Sequence, residues 1–184
     1  MDIETLKIKL EESEKTRMEL QSRVDELTDF VENASIPLHW VNGSGIIVWA
    51  NKAELESLGY NKEEYIGKHI SNFHADKNVI EDILSRLIRK ETLKNYPAQL
   101  LCKNGQIKPV LINSNVLWKD DKFVHTRCFT RDITDLKTLE AKKTDLINEL
   151  SETNRELRTE IEQLKKKLNE NLSGFKQSAA ETNF

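Results

Sequence analysis

Cysteine and histidine are the side chains best suited to metal binding or nucleophilic chemistry, and this chain of 184 residues holds two of the first and four of the second. Cys102 and Cys128 are too few for a disulfide framework or a zinc site. They read as reduced thiols, a usage that places the chain in the cytoplasm. Three or more ligands at metal-binding spacing are absent, so no metal site is expected. No histidine follows His125, and the C-terminal segment therefore has no imidazole to accept a phosphoryl group. There is no P-loop, no G-x-S-x-G elbow and no protein-kinase signature set. The Ser, Asp and His residues are scattered, and nothing in their spacing draws them together. The expectation is a protein without a catalytic site.

Composition narrows the partners. Charged residues make up 32% of the chain and hydrophobic ones 38%, which is high in charge for a plain globule and fits a globule with solvated helical arms. The net charge of −3, with no basic patch interleaved with aromatics, predicts no nucleic-acid footprint. Lys165, Lys166 and Lys167 stand beside Glu160, Glu162 and Glu170 and read as a solvated helix face. No stretch reaches the roughly 18–20 apolar residues of a membrane span, and no apolar leader follows the first Met.

Periodicity divides the chain into an arm, a domain and a second arm. Residues 1–34 lack Gly and Pro, and Ile3, Leu6, Leu10, Leu20, Val24, Leu27 and Val31 recur at alternating spacings of three and four. Branched residues at the a positions with Leu at d favour a parallel two-stranded coiled coil, in which Ser13 and Arg17 would cost stability but fix register. The alternative is an amphipathic helix lying on its own domain.

Residues 35–134 hold five of the six Gly and all three Pro and three Trp. Leu38–Val41 and Ile46–Asn51 read as a hairpin around Asn42-Gly43-Ser44-Gly45. Ala53–Leu58 reads as a short helix ended by Gly59, and Asn61 with Glu64 as a capped turn closed by Gly67. Asp76 or Asn78 starts a helix with a one-sided stripe of Ile80, Ile83, Leu84, Leu87 and Ile88. Strands follow at Tyr96–Lys103, Ile107–Lys119 and Lys122–Thr130, joined by Asn104-Gly105 and Asp120-Asp121. That order predicts an α+β domain with an antiparallel sheet. Residues 135–172 are helical, with a seam of Leu139, Leu146, Leu150, Leu157, Ile161, Leu164, Leu168 and Leu172; the step from Leu157 to Ile161 is a stutter. Residues 173–184 read as a frayed tail.

Four stretches carry a resemblance: "GIIVWAN" at Gly45–Asn51, "LGYNKEEYIGKHI" at Leu58–Ile70, "CKNGQI" at Cys102–Ile107 and "RDIT" at Arg131–Thr134. In this order and spacing the chain resembles the PAS family, over about residues 30–134. The resemblance implies a five-stranded antiparallel sheet in the order 2-1-5-4-3, with short helices on one face that can enclose a pocket. In that order the fourth strand separates Cys102 from Cys128, too far for an easy disulfide. It also implies a sensor module that responds to a small ligand or partner and relays the change through coiled-coil helices. Asp132 and Thr134 would form the relay. A parallel homodimer would be built by Leu6, Leu10, Leu20, Val24, Leu27, Phe129, Leu146, Leu150 and Leu157, with a downstream effector protein. The alternatives are a structural dimerisation or scaffold domain without ligand, or the input fragment of a larger sensor kinase or cyclase.

The same resemblance bears on cofactors. Flavin-binding light sensors of the family carry "GRNCRFLQ" where this chain has "GKHISNFH". Ile70 stands at the photoactive cysteine, which excludes flavin–cysteinyl adduct chemistry, and His74 and Thr130 stand at flavin-contacting glutamines. Haem-binding members offer a histidine from the long helix, and residues 77–91 have none; only His69 and His74, just before it, could reach iron. Thr130 taken as inward sends Thr126, Val124 and Cys128 the same way by period-two alternation, with Phe123, His125, Arg127, Phe129 and Arg131 opposite. Val110, Ile112, Ser114 and Val116 then face inward on the preceding strand. Together with Asn51, His69, His74 and Tyr96, the inward residues Val110, Ile112, Ser114, Thr126, Cys128 and Thr130 are the candidates for a modest ligand pocket. Against it stands a core filled by Trp40, Trp49 or Tyr96.

Overall fold

The computed structural model describes residues 3–181, and side chains as far as residue 170. A long helix α1 (Ile3–Glu32) leads into strands β1 (Leu38–Val41) and β2 (Ile47–Ala50). Helices α2 (Lys52–Leu58) and α3 (Lys62–Tyr65), a 3₁₀ turn (Ile70–Phe73) and helix α4 (Lys77–Ile88) follow. Strands β3 (Leu93–Leu101), β4 (Ile107–Lys119) and β5 (Lys122–Asp132) complete a five-stranded antiparallel sheet, and α5 (Thr134–Glu181) follows β5 in the chain. The sheet order is β2-β1-β5-β4-β3, as the resemblance implied. The chain separates into two compact units, one ending at Thr134 and one starting at Asp135. α5 runs on past Leu172, and the last three residues of the expected tail lie outside the described residues.

Turn chemistry sets the register. The Asn42 side chain accepts from the amides of Ser44 and Ile46 at 3.0 Å, and Gly45 takes φ +76°. A Cβ at Gly45 would collide with Nε2 of His69, so hydrogen is required there for space as well as for the backbone. Asp120 and Asp121 both adopt positive φ, at +49° and +55°, as a two-residue hairpin twisted to match its strands demands. At α4 the Asp76 side chain accepts from Asn78 and Val79, filling the cap. Ile80, Ile83 and Leu87 are buried, while Ile88 is exposed at the helix end.

Two strand expectations are corrected. β3 starts at Leu93 rather than Tyr96 and stops at Leu101 rather than Lys103. An irregularity between Leu93 and Tyr96, with Asn95 at φ +48°, admits the earlier residues, and the turn closed by Gly105 N–H to Cys102 O ends the strand early. A bulge between Leu117 and Trp118 leaves Val124 without a partner residue. Such an insertion reverses the alternation beyond it. Val124 therefore points outward, 40% exposed, and Phe123 packs on the core. Nearer the sheet centre Val110, Ile112, Ser114, Val116, Thr126, Cys128 and Thr130 are all buried.

Trp40 and Trp49 do not fill that interior. They pair at 4.7 Å between ring centroids, Trp40 stacks on His125 at 4.2 Å, and together with Val24, Leu27 and Val31 of α1 they border a groove of about 320 Å³. The aromatics that fill the interior are Tyr65 and Phe73, 4.5 Å apart, with Tyr60 beside both.

Asn51 joins the arm to the domain. Its Oδ1 accepts from the amides of Leu38 and Glu54, and its Nδ2 donates to the carbonyls of Val31, Ala34 and Ile36. Asn51→Ala strips a cap and leaves buried backbone groups unsatisfied, so it should lower stability by about 2–3 kcal/mol in urea unfolding.

Candidate functional site: a buried polar cluster under the sheet

β1 reads Leu-His-Trp-Val, so His39 and Val41 share one side of the strand. The Asn51 cap begins α2 so that Glu54 and Leu58, four residues apart, form its buried face. Nδ1 of His39 lies 2.8 Å from Oε1 of Glu54, and the hydroxyl of Tyr65, the last residue of α3, donates to the same oxygen at 2.8 Å. His39, Glu54 and Tyr65 are 3%, 1% and 1% exposed.

Burial opposes charge on each of these groups. At His39 that downward push is overcome by Cys128, directly across the strand pair, and by Glu54, which together raise the imidazole well above its ordinary value. At Glu54 burial pushes upward, but His39 and the Tyr65 hydroxyl hold the carboxyl below the usual range. Burial, and then Glu54, push the Tyr65 phenol well up, so it stays protonated and donates. The result is an imidazolium–carboxylate pair with a phenol as its third member.

Beside the pair lies a space of about 20 Å³, room for about one water. Its polar walls are His39, His74, Ser114, Thr126 and Cys128, and the aliphatic face of α4 closes it. Thr126 is occupied, its Oγ1 accepting from the Val41 amide at 3.0 Å. Glu54 Oε2, His74 Nδ1, Ser114 Oγ and Thr130 Oγ1 are buried without a hydrogen-bond partner.

His74 is pushed down to about 4 by burial foremost and by the charge of His39. Its neutral form is the one the fold accepts, so the unfolded chain binds the extra proton between pH 6.5 and 4. Stability should therefore fall by up to about 3 kcal/mol on acidification through that window. His74→Leu should flatten the fall, as read from urea midpoints against pH.

The structure gathers only some of the expected pocket residues. His74, Ile112, Ser114, Thr126 and Cys128 border the space, while Val110 and Thr130 are buried on the same face. Asn51 caps α2 instead of facing the cavity. His69 hydrogen-bonds the Ser71 hydroxyl at 2.7 Å, and the Tyr96 hydroxyl donates to Asp82 Oδ2 at 2.6 Å on the rim of α4. Nothing in the sequence patterns above points to His39, Glu54 or Tyr65. The parity of His39 with Val41, and the i, i+4 relation of Glu54 to Leu58, were the signals that could have found the first two.

The PAS domain family profile matches residues 34–135, more than half of the chain. The chain belongs to the PAS domain family. Phytochrome B of Sorghum bicolor is 33% identical over 85 residues, which is 45% of this chain and 7% of that protein. The PAS domain of an HTR-like protein from Haloarcula marismortui superposes with a TM-score of 0.58 at 20% identity, covering 65% of this chain and 99% of that one. An RNA-binding light-oxygen-voltage receptor gives 0.59 at 16% identity, covering 67% and 37%. At these identities the structural matches establish the fold.

Within the PAS framework a flavin does not fit these residues. Ile70 is 2% exposed and packed in the core, and the space it borders beneath the central strands takes about one water. Among the described residues no group of three or more His, Cys, Asp or Glu is placed to hold a metal, and no helix is long and apolar enough to cross a membrane.

The PAS sheet also ties α2 to the start of α5. Lys108 Nζ donates to the Ser57 carbonyl at 2.8 Å and hydroxyl at 3.1 Å, and pairs with Asp132 Oδ2 at 3.1 Å. Asp132 Oδ1 accepts from the amide and hydroxyl of Thr134 at 2.8 and 2.6 Å. Burial pushes the Asp132 carboxyl up, but the bonds from Thr134 and Lys108 bring it below the usual range.

Proposed function

We propose that this chain is a cytoplasmic, homodimeric signal-input module in which a change in the buried polar cluster is relayed to α5. The observation that carries the reading is Lys108. One ammonium group holds the end of α2, the helix that carries Glu54, and the carboxylate that orders Thr134 at the start of α5. A shift of α2 alters the partners of Lys108 and so the backbone geometry where the output helix begins. The relay needs only that the two arrangements of α2 differ in their affinity for the stimulus.

The dimer would be parallel. Leu6, Leu10, Leu20, Val24 and Leu27 of α1, Phe129 of β5, and Leu146, Leu150 and Leu157 of α5 are exposed, and exposed apolar rows of this extent mark interfaces. The water-sized interior favours a stimulus that changes the core itself, or a partner protein, over a drug-sized ligand. An effector protein would read the α5 arms.

Hydrogen exchange by mass spectrometry, with native mass spectrometry for subunit number, tests this. Lys108→Met should speed exchange of the backbone amides just after Thr134 several-fold while the β4–β5 ladder stays protected. Unchanged exchange there, or a monomer, would overturn the relay or the dimer respectively.

A further inference from the structure

Cys128 supplies the thiol among the residues that line the water-sized space, and its neighbours are arranged to help it react. It lies on β5 directly opposite His39 on β1, and both residues border the same small space. Nδ1 of His39 is held by Glu54 at 2.8 Å. Thiol, imidazole and carboxylate thus stand in the order of nucleophile, proton carrier and orienting group. On the same small space stand Ser114 Oγ and His74 Nδ1, whose residues are 4% and 5% exposed and which have no protein partner. They offer hydrogen bonds to a guest that is polar at both ends and not much larger than water.

We infer that Cys128 is a reactive thiol, served by His39 and Glu54, whose co-reactant is a small inorganic peroxide. The sulfur attacks one peroxide oxygen; the S–O bond forms as the O–O bond breaks. Sulfur gives up two electrons and becomes sulfenic acid, and the peroxide is reduced to water. His39 delivers its proton to the departing hydroxide and takes the thiol proton in exchange, so charge and protons balance. The water-sized space at the sulfur sets the selectivity, because organic electrophiles are too large to enter. Cys102 is an internal control. It is equally buried, at 5% exposed against 6% for Cys128, and lies at the β3–β4 turn away from the pair. This chemistry stands whether or not α5 responds to it.

The test uses the full chain. It is treated with hydrogen peroxide at neutral pH, the excess is removed with catalase, and the protein is unfolded into dimedone and digested for mass spectrometry. Cys128 should be converted about a hundredfold faster than Cys102, and the preference should vanish when peroxide is added in urea. Iodoacetamide on the folded protein should show no such preference. Equal labelling of the two thiols, a faster Cys102, no labelling of either, or a preference that persists in urea would each overturn the inference. Ser114→Ala leaves the imidazole–carboxylate pair intact and should slow Cys128 several-fold; an unchanged rate would remove the cavity from the chemistry.

Discussion

Glu54→Ala should destabilise the domain by about 3–5 kcal/mol, because it leaves the buried imidazole of His39 charged and unpaired or forces it to discharge. The measurement is the urea midpoint at constant slope. The double substitution His39→Leu with Glu54→Leu should recover most of that loss, since a buried ion pair replaced by apolar groups of similar volume is often near neutral. If the double variant is no better than Glu54→Ala alone, the pair is not what Glu54 contributes. The signs fix the pH window. Glu54 is held below its ordinary value of 4.5, so its contribution is complete above that pH and is lost as pH falls through the folded value. His39 is held above 6.5, so its contribution is complete below that pH and is lost as pH rises through the folded value. Both are complete between pH 4.5 and 6.5, and there Glu54→Ala should cost most.

Tyr65→Ala should cost a similar amount, about 3–5 kcal/mol, through the cavity left among Phe73, Tyr60 and His39. Tyr65→Phe isolates the hydroxyl: it keeps the ring contacts and removes one donor to Glu54, for a loss of about 1–2 kcal/mol. A phenylalanine variant as unstable as the alanine one would mean that the hydroxyl, not the ring, dominates. The comparison also bears on His39, because Tyr65 is its edge-on neighbour at 6.4 Å.

Local rules located the elements well. The hairpin signals at Asn42–Gly45 and Asp120–Asp121, the cap at Asp76 and the stripe of α4 were all readable, since each depends on residues close in sequence. What failed depended on distant partners. Nothing near Val124 announces that Leu117 and Trp118 bulge opposite it, and one inserted residue was enough to reverse the facing of the β4–β5 tip. Trp40 looked like core filling because tryptophan is bulky, yet its strand parity sends it to the face that α1 borders. Most of the inner-face candidates sit where alternation put them, but the charged members of the cluster were passed over. Glu54 lies in a short stretch, Lys-Ala-Glu-Leu-Glu-Ser, that reads as solvent-facing. The inward position of His39 on β1, with the hydroxyl of Tyr65, makes its burial tolerable. A buried charge is legible in sequence only when both partners are seen at once.

The Asn51 amide has a mechanical meaning. One planar group is pinned at one end to the chain leaving α1 and at the other to β1 and α2, so the arm cannot swing or twist without torque on the helix that holds Glu54. Equilibrium coupling runs in both directions. Under the proposed relay, a protein that clamps the N-terminal arm would retune how tightly His39 holds its proton, and the domain would be driven from its outer limb as well as from its interior.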